Sequence, residues 1–221
     1  DEVAFIREKY GTSPVGFLNE MGVLGPHLLA AHVVHVTDDD LDLLKENDVK
    51  VLHCPAAGLR IAGIARIPRM LEMGLTVSLG TNSPPCNNRM SILDEMWLAG
   101  IMHNAVEDNP EAMPAESIIR MATIEGARTL GLDNEIGTLT PGKQADVVIL
   151  DLNNLYTTPT HDLYSTLVYQ ANNCSVHTVI GSGEILLDNG RLTTIHEPWL
   201  IHEAERRAQS IVRRAKIQLP L

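Results

Sequence analysis

The first half of the chain alternates short apolar runs with longer amphipathic ones. Residues 28–34 (LLAAHVV) read as a strand. Asp38, Asp39 and Asp40 open a helical pattern through Leu41, Leu44 and Lys45, with Asp38 as the expected N-cap. Residues 49–53 (VKVLH) form the next strand, and 64–73 a helix closed by Gly74. Residues 75–79 (LTVSL) are a third strand, and 90–106 a long helix. A further helix spans 114–130, with Pro114 near its first turn and Gly131 after its end. Strands that alternate with helices in this way imply βαβ crossovers and a parallel sheet. An open doubly wound sheet and a (β/α)8 barrel both fit, although three units alone cannot close a barrel.

The texture changes from Ile136 onward. Pro141-Gly142 marks a turn, and residues 146–152 (DVVILDL) form an apolar strand. Residues 176–180 and 184–187 are further strands, joined to a last one by the hairpin signal Asp188-Asn189-Gly190. The expected organisation is an α/β part over 1–130, a small β unit over 131–195 and a C-terminal helix over 196–221. Arg206, Arg207, Arg213 and Arg214 on that helix read as a solvated face.

Composition narrows the function classes. A formal net charge of −11 repels phosphate backbones and anionic lipid surfaces, so neither nucleic acid nor a membrane is an expected partner. No apolar stretch approaches the length of a bilayer span. Three widely spaced cysteines, Cys54, Cys86 and Cys174, build neither a disulfide framework nor a zinc knuckle. A reducing, cytoplasmic setting is the expectation. The chain begins at Asp1 and not at Met, which suggests a segment of a longer protein.

Active sites of parallel α/β folds lie at the C-terminal ends of the strands. Here those ends carry His32 and His35, then His53, then Gly80-Thr81-Asn82-Ser83. A core strand gains nothing from an imidazole at its end, since burying one unpaired costs free energy. Residue types alone therefore support an α/β protein with a polar site above its sheet. His27, His103, His161, His177, His196 and His202 are expected in loops or on helix surfaces.

Several segments, in order, carry a family resemblance. Residues 30–35 (AAHVVH) resemble the Ala-His-Cys-Val-His segment of amidohydrolases in the methylthioadenosine/adenosylhomocysteine deaminase and triazine chlorohydrolase group. His53-Cys54-Pro55-Ala56 resembles their His-x-Pro segment. Gly80-Thr81-Asn82-Ser83 with Asn87-Asn88 resembles their Gly-Thr-Asp-Gly…Ser-Asn-Asn loop. Residues 121–128 (MATIEGAR) are similar to their Met-Ala-Thr-x-x-Gly-Ala helix, and 136–146 and 179–192 to the entry and final hairpin of their small β domain.

The resemblance implies the C-terminal part of a (β/α)8 barrel, carrying part of a β-sandwich and a C-terminal helix. It implies one divalent metal, zinc or iron, that acidifies a water for attack on a ring carbon bearing an amino or chloro group. Hydrolytic deamination of a purine nucleoside-like substrate is the leading expectation, in a full-length homo-oligomer. By the resemblance, His32 is a catalytic residue that orients water or substrate, and Asn82 stands where the family places a metal-ligating aspartate.

Two departures stand out. The family's His-x-His on its first barrel strand and the His-x-x-Glu before its sixth have no counterpart here, and an amide at position 82 is neither charged nor a base. The chain alone is expected to be inactive. The alternative is a non-catalytic homologue that has lost its metal and serves binding or assembly. An unrelated open α/β ligand-binding domain is a third reading, which the β segment after Ile136 opposes.

Overall fold

A computed structural model describes residues 2–217. The chain divides into two compact units. The first comprises Asp1–Gln144 and Leu152–Ser175, the second Ala145–Asp151 and Val176–Leu221.

The first unit opens with helices α1 (Glu2–Tyr10) and α2 (Pro14–Glu20). The elements β1 (Leu29–Ala31), α3 (Asp38–Glu46), β2 (Lys50–His53), α4 (Pro55–Ile61), α5 (Ile67–Glu72) and β3 (Val77–Leu79) follow. Beyond them lie α6 (Pro84–Asn87), α7 (Ile92–Val106), α8 (Ala115–Ala122) and α9 (Ile124–Thr129). The three strands are parallel and lie in chain order β1-β2-β3, with Ala31 opposite Leu52 and His53 opposite Leu79. In-order neighbours are what a barrel segment shows, whereas a doubly wound sheet reverses its order. The expected α/β fold is present, and its parallel sheet is consistent with a partial barrel.

The core follows from this layout. Val49, Val51 and Val77 from the strand region pack with Leu41 and Leu44 of α3 and with Ile67 and Met70 of α5. Met96, Met113, Ile118 and Met121 close the cluster. The buried face of the α/β layer thus lies below the strand ends and leaves those ends for polar groups.

Local chemistry sets the element limits. Thr37, not Asp38, caps α3. Its hydroxyl accepts from Asp40 N–H at 3.2 Å, while the Asp40 carboxylate accepts from Thr37 N–H at 2.9 Å. That reciprocal pair is a capping box, so the acidic run starts one residue inside the helix. The helix expected over 64–73 begins only at Ile67, and a separate α4 precedes it, opened by Pro55 at its first position. Gly74 (φ 81) does close α5. Leu75 N–H bonds to Met70 O and Gly74 N–H to Leu71 O, a Schellman pair. The helix expected over 114–130 breaks at Thr123 (φ −129, ψ −97), whose hydroxyl donates to Ile119 O at 2.7 Å. A β-branched residue that bonds back to the preceding turn disturbs the helical ladder.

The unit ends with α10 (Leu163–Ser165), a π-helical turn (Thr166–Gln170) and a 3-10 turn (Asn173–Ser175). The hydrophobic pattern marks none of these.

The second unit is an antiparallel sheet of β4 (Val147–Leu150), β5 (Val176–Gly181), β6 (Glu184–Asp188) and β7 (Arg191–Leu192), in that order. The β6–β7 hairpin turns through Asn189 (φ 46) and Gly190 (φ 70), the left-handed pair the sequence signals. Helix α11 (Glu197–Ala215) follows, capped by the His196 ring, which accepts from Trp199 N–H at 3.2 Å. Among the described residues no helix is long and apolar enough to cross a membrane.

Candidate active site

His32 follows β1 directly. Its N–H still pairs with Leu52 O at 3.0 Å, but its φ is 69, and Val33 N–H turns back to Ala31 O at 2.9 Å. An i to i+2 bond closed around a residue of positive φ is the strained form of γ-turn. Val33 (φ 46) continues in the left-handed region, where a β-branched residue is an outlier. The strand expected over 28–34 therefore stops at Ala31, and the histidine leaves the sheet at a sharp angle. Strain of this kind persists only where the surroundings over-determine it.

Asn82, three residues beyond β3, also has positive φ, 59. Its Nδ2 lies 3.0 Å from His32 Nε2. An amide nitrogen only donates, so His32 Nε2 is the acceptor and the ring proton sits on Nδ1. The Asn82 Oδ1 accepts from Ser83 N–H at 2.6 Å. The fold thus brings His32 and Asn82 together, across 50 residues of sequence, at the C-terminal ends of strands β1 and β3.

The other strand-end histidines go elsewhere. His35 is exposed, in a groove lined by Val3, Arg7 and Thr37. His53 is buried at the end of β2, and its Nε2 lies 3.0 Å from His103 Nε2 of α7. One ring donates and the other accepts, so the contact requires at least one of the two imidazoles to be neutral. Burial pushes the His53 pKa well below 6.5, with His103 and His32 adding to the effect, and pushes that of His103 down to about 4. The expectation that His103 lies on a helix surface is corrected here, since it is 1% exposed.

Sequence reasoning also passed over Glu95, a buried carboxylate on α7. It accepts from Ala56 N–H at 3.0 Å and from Asn87 Nδ2 at 2.6 Å. Burial raises its pKa, against the pull of these two donors. Cys54, beside it, has its thiol pKa raised by burial and by Glu95, while an Asn82 backbone hydrogen bond pulls the other way. The one trace that the sequence holds of Glu95 and His103 is their spacing, which the structure shows to be an inward stripe. Glu95, Ala99 and His103 fall at i, i+4 and i+8, one stripe of α7, and all three are buried.

The donors available for a metal are few. Zinc takes three or four nitrogen, sulfur or oxygen ligands. His32 and the Asn82 amide oxygen offer two, and no cluster of three histidine, cysteine or acidic side chains among the described residues could hold a metal ion. These residues by themselves do not form a zinc site.

Comparison with known proteins fits this geometry. The model of the amidohydrolase family matches residues 1–186. A 5'-deoxyadenosine deaminase of Methanosarcina acetivorans is 39% identical over 215 residues, which are 97% of this chain and 49% of that protein. A 5-methylthioadenosine/S-adenosylhomocysteine deaminase of Caldanaerobacter subterraneus is 37% identical over 213 residues, 96% of this chain and 49% of that protein. The chain spans about half the length of the curated relatives it matches. Among solved structures, a zinc-bound adenosine deaminase from Xanthomonas campestris superposes with a TM-score of 0.92 at 32% identity, covering 96% of this chain and 48% of that one. A zinc-complexed atrazine chlorohydrolase from Arthrobacter aurescens reaches a TM-score of 0.86 at 26% identity, covering 92% of this chain and 46% of that one. With most of its length inside the family match and its strand ends bearing His32 and Asn82, the chain belongs to the amidohydrolase family.

Proposed function

We propose that this chain is part of a hydrolase that deaminates a purine nucleoside-like substrate, with His32 orienting the attacking water or the substrate ring. The observation that carries the reading is the 3.0 Å contact between His32 and Asn82 above the parallel sheet. The deaminases among the relatives support it. In this reading the substrate is a small nitrogen heterocycle, and residues outside the described ones complete any zinc or iron site. The same reading keeps the full-length protein a homo-oligomer.

Asn82 favours a second reading, a non-catalytic homologue. Both ends of its amide are already used, one by His32 and the other by Ser83 N–H. An aspartate at this position could only accept, so it would take a hydrogen bond from His32 Nε2–H and select the tautomer with the ring hydrogen on that nitrogen. It would also restore a base, whose loss typically costs about 10²–10⁴ in rate.

The test compares the full-length protein with its Asn82→Asp variant, both purified without chelator. Elemental analysis reads zinc and iron per chain, and a spectrophotometric assay reads deamination of 5'-deoxyadenosine and methylthioadenosine. The expected result is metal in both, with deamination faster in the variant by about 10²-fold or more. Metal only in the variant moves the non-catalytic reading to the front. Metal and activity in neither overturns the deaminase proposal.

A further inference from the structure

The chain segments that leave β2 and β3 are joined by one buried carboxylate. Glu95, 1% exposed, reaches from α7 to two donors on different segments. Its Oε2 accepts from Ala56 N–H, in the first turn of α4 just after β2, at 3.0 Å. Its Oε1 accepts from Asn87 Nδ2, at the end of α6, at 2.6 Å. The second hydrogen of the same Nδ2 goes to Thr81 O at 2.7 Å. Thr81 O belongs to the peptide that enters Asn82, and Asn87 Oδ1 accepts in turn from Arg89 N–H at 3.2 Å. Asn87 is itself buried, so every polar atom of its amide is committed.

This arrangement asks for an acid at position 95. Two N–H donors converge on it, and only a carboxylate offers two acceptor atoms. A glutamine would turn its own NH₂ toward one of those donors. The arrangement also has something to hold. Asn82 stands at φ 59, in the left-handed region that asparagine tolerates, and its side chain is aimed by the Thr81–Asn82 peptide that enters it.

We propose that Glu95 is a positioning residue, which fixes the Thr81–Asn82 peptide through the Asn87 amide and so holds the position-82 side chain against His32. This rests on the reading of His32 and Asn82 as the reacting site. It adds a residue on a helix behind the strand ends that acts without touching substrate.

The test uses the full-length protein and three variants, Glu95→Gln, Asn87→Asp and the two together. The double variant swaps donor and acceptor between positions 95 and 87. The amide introduced at position 95 can then accept from Ala56 N–H and donate to the carboxylate introduced at position 87. That carboxylate, however, has no hydrogen left for Thr81 O. Melting temperature reads the helix-to-helix link, hydrogen exchange over residues 80–83 reads the loop, and kcat and KM for 5'-deoxyadenosine read the site. Both single variants should melt lower and exchange faster over 80–83. The double variant should regain most of the melting temperature while its loop still exchanges fast. Its kcat should stay down by about 10²-fold with KM little changed, the cost of a misplaced group near the reaction. If the double variant recovers loop protection and kcat along with melting, Glu95 is only a structural tie and the proposal falls. Unaltered exchange over 80–83 in the single variants also overturns it. Should the parent protein deaminate nothing, the proposed function fails, and the exchange measurement still decides the role of Glu95.

Discussion

His53 and His103 face each other through their Nε2 atoms at 3.0 Å inside the core, and burial holds both rings neutral. Their consequence for stability has a definite sign. Above the ordinary histidine pKa of 6.5 the rings are neutral whether folded or unfolded, so the pair contributes fully. As pH falls below 6.5 the unfolded chain takes up protons that the folded chain refuses. Stability then declines until the folded ring itself protonates, near pH 4 for His103. For His103 alone the loss is on the order of 2 kcal/mol by about pH 5, and His53 adds to it in the same direction. Urea unfolding of the full-length protein at about pH 7 and pH 5 should show this loss, and His103→Gln should flatten the slope. An equal pH slope in the variant would mean that the pair does not titrate as its burial implies. The placement of His32 and Asn82 after parallel strands was legible in the sequence, because residue order says something about position there, whereas singling them out rested on the family resemblance. Glu95 and His103 were not legible. Helix α7 carries apolar residues around most of its circumference, so its inward face does not announce itself.

At the scale of elements, the starts of α2 and α3 share one side chain. Ser13 caps α2 by accepting from Gly16 N–H at 2.9 Å, and its hydroxyl donates to the Asp40 carboxylate. That carboxylate also closes the capping box with Thr37 and is buried. Removing Asp40 leaves a backbone N–H and a hydroxyl without their acceptor, so Asp40→Ala should cost about 2–3 kcal/mol. Thr37→Ala should cost about 1 kcal/mol, the usual value of a cap. A double-mutant cycle of Ser13→Ala with Asp40→Ala should give a coupling of at least about 0.5 kcal/mol. A coupling near zero would show that the two helix starts are independent. The elements that the sequence marked well are those that end in left-handed residues. Gly74, Gly131 and the Asn189-Gly190 turn all have positive φ where the pattern placed a stop. The elements it marked poorly depend on contacts between distant residues or on one hydroxyl. The break at Thr123 follows from a single side-chain bond to Ile119 O, which no periodicity reveals.

For the molecule as a whole, the open edges of the parallel sheet decide how the chain behaves alone. Among the described residues β1 and β3 each pair on one side only, with β2 between them. Leu29, on the β1 edge, is 41% exposed, and Phe5, Ile61 and Met90 also stand in solvent. A strand edge with unpaired N–H and C=O groups beside apolar side chains is a template for another chain. In relatives about twice this length, the barrel expected from the family resemblance has five more strands to continue the sheet from those edges. The 221-residue chain purified alone should therefore associate. Light scattering coupled to size-exclusion chromatography should give a mass above 24.2 kDa that rises with concentration, together with a broad thermal transition. Substitutions away from the edges should leave this behaviour unaltered, whereas Leu29→Lys, which charges the β1 edge, should reduce it. A monodisperse monomer with a sharp, cooperative melt would mean that the three-strand sheet is self-sufficient, and the argument from its open edges would be wrong.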